Sequence, residues 1–163
     1  MEGATLARIE NPRQGDAVEN GCAVDQPGGI AMSQEAMEVV LDHLHARRRR
    51  DRDAVAATLD PAVVHEGVRP ELICHNRDEV LSMVERSMRA MQSGIDRLEI
   101  LDAGPDQAVL GVAGPRFREV EEASPAGEVF ILMTVRNGHI TRMRDFRSRE
   151  DALAAAHARP TSS

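Results

Sequence analysis

Between residues 96 and 147 the chain stops repeating at helical spacing and its period changes to one that is strand-like. Four runs, 96–103, 107–114, 127–136 and 139–147, read as strands separated by turns. Asn137-Gly138 joins the last two, and this pair is the strongest short hairpin signal because both turn positions need positive φ. Ahead of these runs the period is mostly helical. Met37, Val40, Leu41 and Leu44 fall on one face of a helix capped by Ser33. A shorter helix, with Asp53 as cap and Val55 and Leu59 inward, should stop at Asp60-Pro61, because the residue before proline avoids helical geometry. The β-branched stretch 62–68 reads as a strand. Asn76 and Glu79 have capping-box spacing for a helix that buries Val80, Val84, Met88 and Met91 and ends at Gly94. A last helix begins at Ser148 and carries Ala152, Leu153 and Ala156.

Helices followed by a meander imply an α+β fold: N-terminal helices packed on a curved, mainly antiparallel sheet. Gly111 and Gly114, beside Pro115, predict a bulge or bend in the 107–114 strand. A sheet bent over helices makes a cone with an internal pocket. Residues 1–31 hold five glycines and no sustained period, so they read as a flexible tail. The expected organisation is a tail at 1–31, one domain at 32–158 and a short tail at 159–163.

Bulk properties narrow the function. The formal charge is −7, and the one basic run, Arg47–Arg50, reads as the cationic end of a helix rather than a phosphate-binding patch. Three Phe and no Trp or Tyr leave little for stacking on bases, so no nucleic-acid partner is expected. No apolar run approaches the ~18 residues of a membrane span, and no basic-then-apolar leader opens the sequence. The expectation is a cytoplasmic protein without a membrane partner. Cys22 and Cys74 have no zinc spacing and are read as reduced. His43 and His45 are two apart and face different ways on a helix, so no metal is expected. No phosphate-binding loop or nucleophile motif is present, and no cofactor is expected.

The element order, with "LDPAVVHEGVRPEL" and "RNGHITRMRDFRSREDALAA", resembles the SnoaL-like branch of the nuclear transport factor 2-like superfamily over residues 32–158. The resemblance implies the cone fold, also described as a cystatin-like α+β roll, and a homodimer. It leaves the activity open, because this cone hosts isomerases, hydrolases, cyclases, dehydratases and non-enzymatic binders.

Alternation on the last strand puts Thr141, Met143 and Asp145 on one face and Arg142 and Arg144 on the other. The first set suits a pocket wall, which would make Asp145 a carboxylate looking into an apolar cone, where ionisation is costly and proton transfer near neutral pH becomes feasible. The SnoaL-like resemblance also implies a functional aspartate near the end of this strand. The competing expectation is a structural acid paired with Arg118, Arg144 or Arg147. His65, on a strand face with Val63 and Gly67, is the candidate proton-transfer partner. Arg118 is a candidate anion or enolate stabiliser, and Val63, Thr141 and Met143 are candidate ligand contacts. A ketosteroid-isomerase oxyanion hole built on Tyr cannot form in a chain without Tyr. The Arg-x-Asp of limonene-epoxide hydrolases has no counterpart in "LGVAGPRF".

Two functions follow. One is a cofactor-independent cyclase, isomerase or hydrolase acting on a small, mostly apolar carbonyl compound, with Asp145 and His65 in acid/base roles. The other is a non-catalytic small-ligand binder or dimeric scaffold of the same fold. A dimer is further expected because Leu98, Ile100, Ile131 and Met133 exceed what one small cone should bury.

Overall fold

The computed structural model describes residues 31–90, 97–119 and 123–158. Expectations for the N-terminal tail, for Met91 and Gly94 and for the C-terminal tail lie outside these residues.

Helix α1 (Gln34–Arg49) starts where Ser33 Oγ accepts from the Ala36 amide, and it ends at Arg50 in the left-handed region. Helix α2 (Arg52–Ala57) is capped by Asp51, not Asp53, and it stops before Leu59. Strand β1 (Leu59–Glu66) therefore begins earlier than expected and contains Pro61. The ladder between β1 and the last strand shifts register between Leu59 and Val64, and this irregularity lets a proline, which has no amide to donate, sit inside the strand.

A further strand, β2 (Ile73–Cys74), follows a turn in which the Gly67 amide donates to Leu72 O. A Cβ on Gly67 would lie 2.6 Å from that of Leu72, so the turn can close this tightly only with glycine. Helix α3 (Arg77–Ala90) has Asn76 as its cap and buries Val80, Val84 and Met88. The Glu79 carboxylate reaches back to the amide of His75, one residue before the cap.

Strands β3 (Arg97–Asp102), β4 (Gln107–Ala113), β5 (Glu128–Arg136) and β6 (His139–Phe146) form the expected meander. Asn137 and Gly138 both have positive φ, at 51° and 74°. Helix α4 (Arg149–His157) follows Ser148, whose Oγ accepts from the Asp151 amide. The curved, unclosed six-stranded sheet has the order β2-β1-β6-β5-β4-β3 and is antiparallel except where β1 runs parallel to β6.

The bulge expected in the 107–114 strand is absent, since β4 keeps unbroken register with both neighbours. Gly111 is there for close approach: a Cβ would meet the side chains of Glu99 and Phe130 at about 3 Å. The second irregularity lies instead between β5 and β6, where Thr141 is the extra residue between the pairs Thr134–Arg142 and Val135–Ile140.

The two sheet faces bury different things. The inner face packs Val63, Leu110, Met133, Ile140 and Met143 against α1, α2 and α3. The outer face packs Val109, Phe130 and Leu132 under Ala152 and Leu153 of α4. Of the four residues expected to overfill one cone, Met133 is fully buried within the chain. Leu98, Ile100 and Ile131 are half-buried beside the same inner core.

Candidate active site

Parallel pairing of β1 with β6 aligns His65 with Met143 and Glu66 with Arg144. Side chains alternate along each strand, so His65, Met143 and Asp145 share the inner face, while Glu66, Arg142 and Arg144 share the outer one. The Thr141 bulge precedes these residues, so it leaves the parity of Met143 and Asp145 intact. It removes Thr141 from strict alternation: Ile140 is the buried residue, and the Thr141 hydroxyl donates to Thr134 O at 3.4 Å.

On the inner face His65 Nε2 lies 2.9 Å from Asp145 Oδ1. Their side chains are 9% and 17% exposed. Two groups 80 residues apart in sequence are thus joined by the strand pairing. Arg144, one of the arginines expected to neutralise Asp145, turns outward, where its Nε is 2.9 Å from Glu66. Arg118 stands exposed on a short 3-10 helix (Pro115–Glu119) with its stem against Gly127. Val63 is fully buried in the core beneath α3, and Met143 lies beside His65.

Two residues that sequence reasoning set aside belong to this side of the sheet. Arg47, part of the cationic end of α1, is half-buried, and its Nη2 donates to Ser87 Oγ of α3 at 3.4 Å. Burial pulls its guanidinium below the usual arginine range, and the Asp145 carboxylate pushes it back up. His43 is completely buried. Its Nδ1 is 2.8 Å from Thr58 Oγ1, and Thr58 already donates its own hydroxyl proton to Val55 O at 2.7 Å. Thr58 must therefore accept from His43, which assigns the proton to Nδ1 and leaves a lone pair on Nε2. Among the described residues that buried Nε2 has no hydrogen-bond partner. Burial first, and the Arg47 charge second, lower the His43 pKa to about 3, so the ring is neutral at physiological pH. Their signal was legible: Val40, His43, Leu44 and Arg47 continue one 3–4 spacing on the buried face of α1.

Cys74 lies opposite His65 in the β1–β2 pair. With Ile73, Asp78, Glu79, Ser82 and Arg86 it lines an open groove of about 370 Å³ between β2 and α3. Burial, helped by Glu79, raises its thiol pKa above the ordinary value, which suits a structural thiol better than a nucleophile. Among the described residues no three His, Cys, Asp or Glu side chains converge as a metal would require. Among them, too, no helix is long and apolar enough to cross a membrane.

No protein-family model matches this chain, and no curated protein does. Solved structures do. A nuclear transport factor 2-like protein of Burkholderia xenovorans LB400 superposes with a TM-score of 0.53 at 14% identity, over 78% of this chain and 99% of that one. The chain has the nuclear transport factor 2-like fold. A ketosteroid isomerase-like protein of Kribbella flavida DSM 17836 gives a TM-score of 0.52 at 16% identity, over 82% of this chain and 87% of that one. A polyketide cyclase-like protein of Xanthomonas campestris pv. campestris gives 0.52 at 18% identity, over 76% and 97%. At such identities the likeness is one of fold, and what this fold does here must be argued from its own side chains.

Proposed function

We propose that this chain is a SnoaL-like enzyme that moves a proton on a small, mostly apolar carbonyl compound held between the helices and the inner face of the sheet. The observation that carries the reading is the part-buried His65–Asp145 pair, at 2.9 Å, on the inner face of the sheet. Asp145 acts as base or acid toward the ligand, and His65 orients the carboxylate and exchanges its proton. The surroundings support an apolar ligand. Asp145 pairs with Ile131, Ile131 with Leu110, and Leu110 with Ile100, so an apolar row extends from the carboxylate across the sheet. Ile131 and Ile100 in that row are only half-buried, as residues walling a ligand would be. A two-proton-carrier site of this kind needs no cofactor.

A proton-exchange assay tests the reading without knowledge of the natural substrate. In deuterated water, 2-tetralone should exchange its α-protons faster with the protein than without it. Asp145→Asn should lower that acceleration by ~10²–10⁴, the usual worth of a positioned acid or base. Equal exchange by parent and variant would overturn the assignment. Binding of 2-tetralone without exchange would favour a non-catalytic ligand-binding protein.

A further inference from the structure

We propose that the open groove between β2 and α3 is an interface between two copies of this chain, paired about a two-fold axis with their α3 helices antiparallel. The inference stands apart from the acid/base reading of Asp145. Asp78, Ser82 and Arg86 follow one another at four-residue intervals, so they form a single stripe along α3, and all three line the groove. Glu79 joins the acidic end. The groove therefore has carboxylates at one end, a guanidinium at the other and a small side chain between. The Ser82 hydroxyl donates to Asp78 O at 3.0 Å, which turns it onto its own helix and leaves the middle of the stripe low.

The ends of this stripe are unmatched within the chain. Glu85 of the same helix pairs with Arg52 at 2.6 Å, and Glu79 Oε2 accepts from the His75 amide. The Asp78 carboxylate and the Arg86 guanidinium have no ion pair within 4.0 Å among the described residues. Beside them stand Leu72 and Ile73, the exposed large apolar side chains among the described residues, at 39% and 40%. Ile73 lines the groove with Cys74.

The order of charges selects the occupant. A small zwitterion could match both ends, but the groove is open, and its ion pairs would stay in water, where such pairs contribute little. A partner that covers the groove is needed. A two-fold rotation that reverses α3 lays the Arg86 end of one groove on the Asp78–Glu79 end of the other, and it does so twice. The pattern is thus its own complement, whereas parallel helices would set like charges together. The helices cross near Ser82, whose small side chain lets them approach. Leu72 and Ile73, beside the first turn of α3, then lie near the second half of the other copy's helix and are covered.

Sedimentation velocity at moderate ionic strength tests the pairing. The parent should sediment as a dimer that dissociates on dilution. Arg86→Glu and Asp78→Arg, both at exposed positions and each checked by circular dichroism, should weaken the dimer by about tenfold or more, because each substitution sets like charges together twice. An equimolar mixture of the two variants should dimerise again. In that mixture the reversed end of each variant meets the reversed end of the other, and the native acids of one meet the native Arg86 of the other. A parent that stays monomeric at submillimolar concentration would overturn the proposal. A dimer indifferent to both substitutions would overturn it too, by moving the contact to another surface. Loss of the dimer in each variant without recovery on mixing would separate Arg86 from the acids across the interface and overturn the antiparallel arrangement.

Discussion

Strand β6 carries the same kind of chemistry on two faces, with opposite consequences. Outside, Arg142 and Arg144 both pair with Glu66, with Arg142 Nη2 at 2.8 Å from its carboxylate. Arg144 also lies over the Phe146 ring, 5.2 Å from its centroid. Farther along this face, Arg97 pairs with Glu128 and Arg149 with Glu99. All of these groups keep a substantial part of their surface in water, where ion pairs contribute little and can be exchanged cheaply. Inside, one residue away, Asp145 has His65 as its close partner among the described residues, and a guanidinium that acts on it through space. An acid surrounded by solvated arginines needs no function to explain it. An acid on the face opposite Arg142 and Arg144, with a histidine as its close partner, calls for a different explanation.

The widest contrast should appear between adjacent residues. Met143 is 1% exposed in the inner core. Met143→Ala should cost ~2–5 kcal/mol, the loss expected when a large core side chain leaves a cavity. Arg144→Ala should cost no more than ~1 kcal/mol, since it breaks solvated contacts only. Urea denaturation of the two variants measures the gap. Similar losses would mean that the two faces are not energetically distinct.

A second contrast depends on pH. His43 is buried and neutral, with its pKa lowered to about 3. The unfolded chain takes up a proton near pH 6.5 that the folded chain refuses until about 3. The stabilisation is therefore complete above the unfolded value and is lost as pH falls through that window. Between pH 6.5 and 5 the protein should lose stability at a slope approaching ~1.4 kcal/mol per pH unit from this residue alone. His43→Phe should flatten that part of the profile in denaturant titrations. A slope retained in His43→Phe would contradict the burial of a neutral ring.

Much of this was legible in the sequence, and the misses have physical causes. Alternation puts Asp145 on the face of Met143 because the bulge falls at Thr141, before both; an extra residue at Arg144, between them, would have separated the two. The four meander strands are readable because turn residues bound short runs without helical spacing, and β4 and β5, buried on both faces, are near-continuous apolar runs. Strand β2 was not, since two residues carry no period and their pairing depends on the Gly67 turn. Pro61 reads as the end of a helix because its effect on Asp60 is local, whereas the register shift that accommodates it involves a partner about 80 residues away. Arg47 and His43 were missed for one reason. Four consecutive arginines look solvated as a group, and only the helical phase separates Arg47, facing in, from Arg48 and Arg49, facing out.

The smallest expected effect is the most informative about the outer face. Glu66 is 30% exposed and holds both Arg142, 52% exposed, and Arg144. Two cations sharing one carboxylate form a small network, which could be worth more than an isolated pair. Both arginines nevertheless keep access to water, so removing the carboxylate strands no buried charge. Glu66→Ala should therefore cost at most ~1 kcal/mol in low salt. That cost should shrink toward zero near 1 M salt, where the screening length falls to ~3 Å. Asp145→Ala should behave differently, since it leaves the His65 ring buried with a polar nitrogen unpaired, a loss of ~1–3 kcal/mol that salt cannot screen. Denaturation of the two variants at low and high salt separates the cases. A large, salt-insensitive loss in Glu66→Ala would show that the outer cluster is held as firmly as the inner pair, and the argument that Asp145 was singled out by its surroundings would lose its basis.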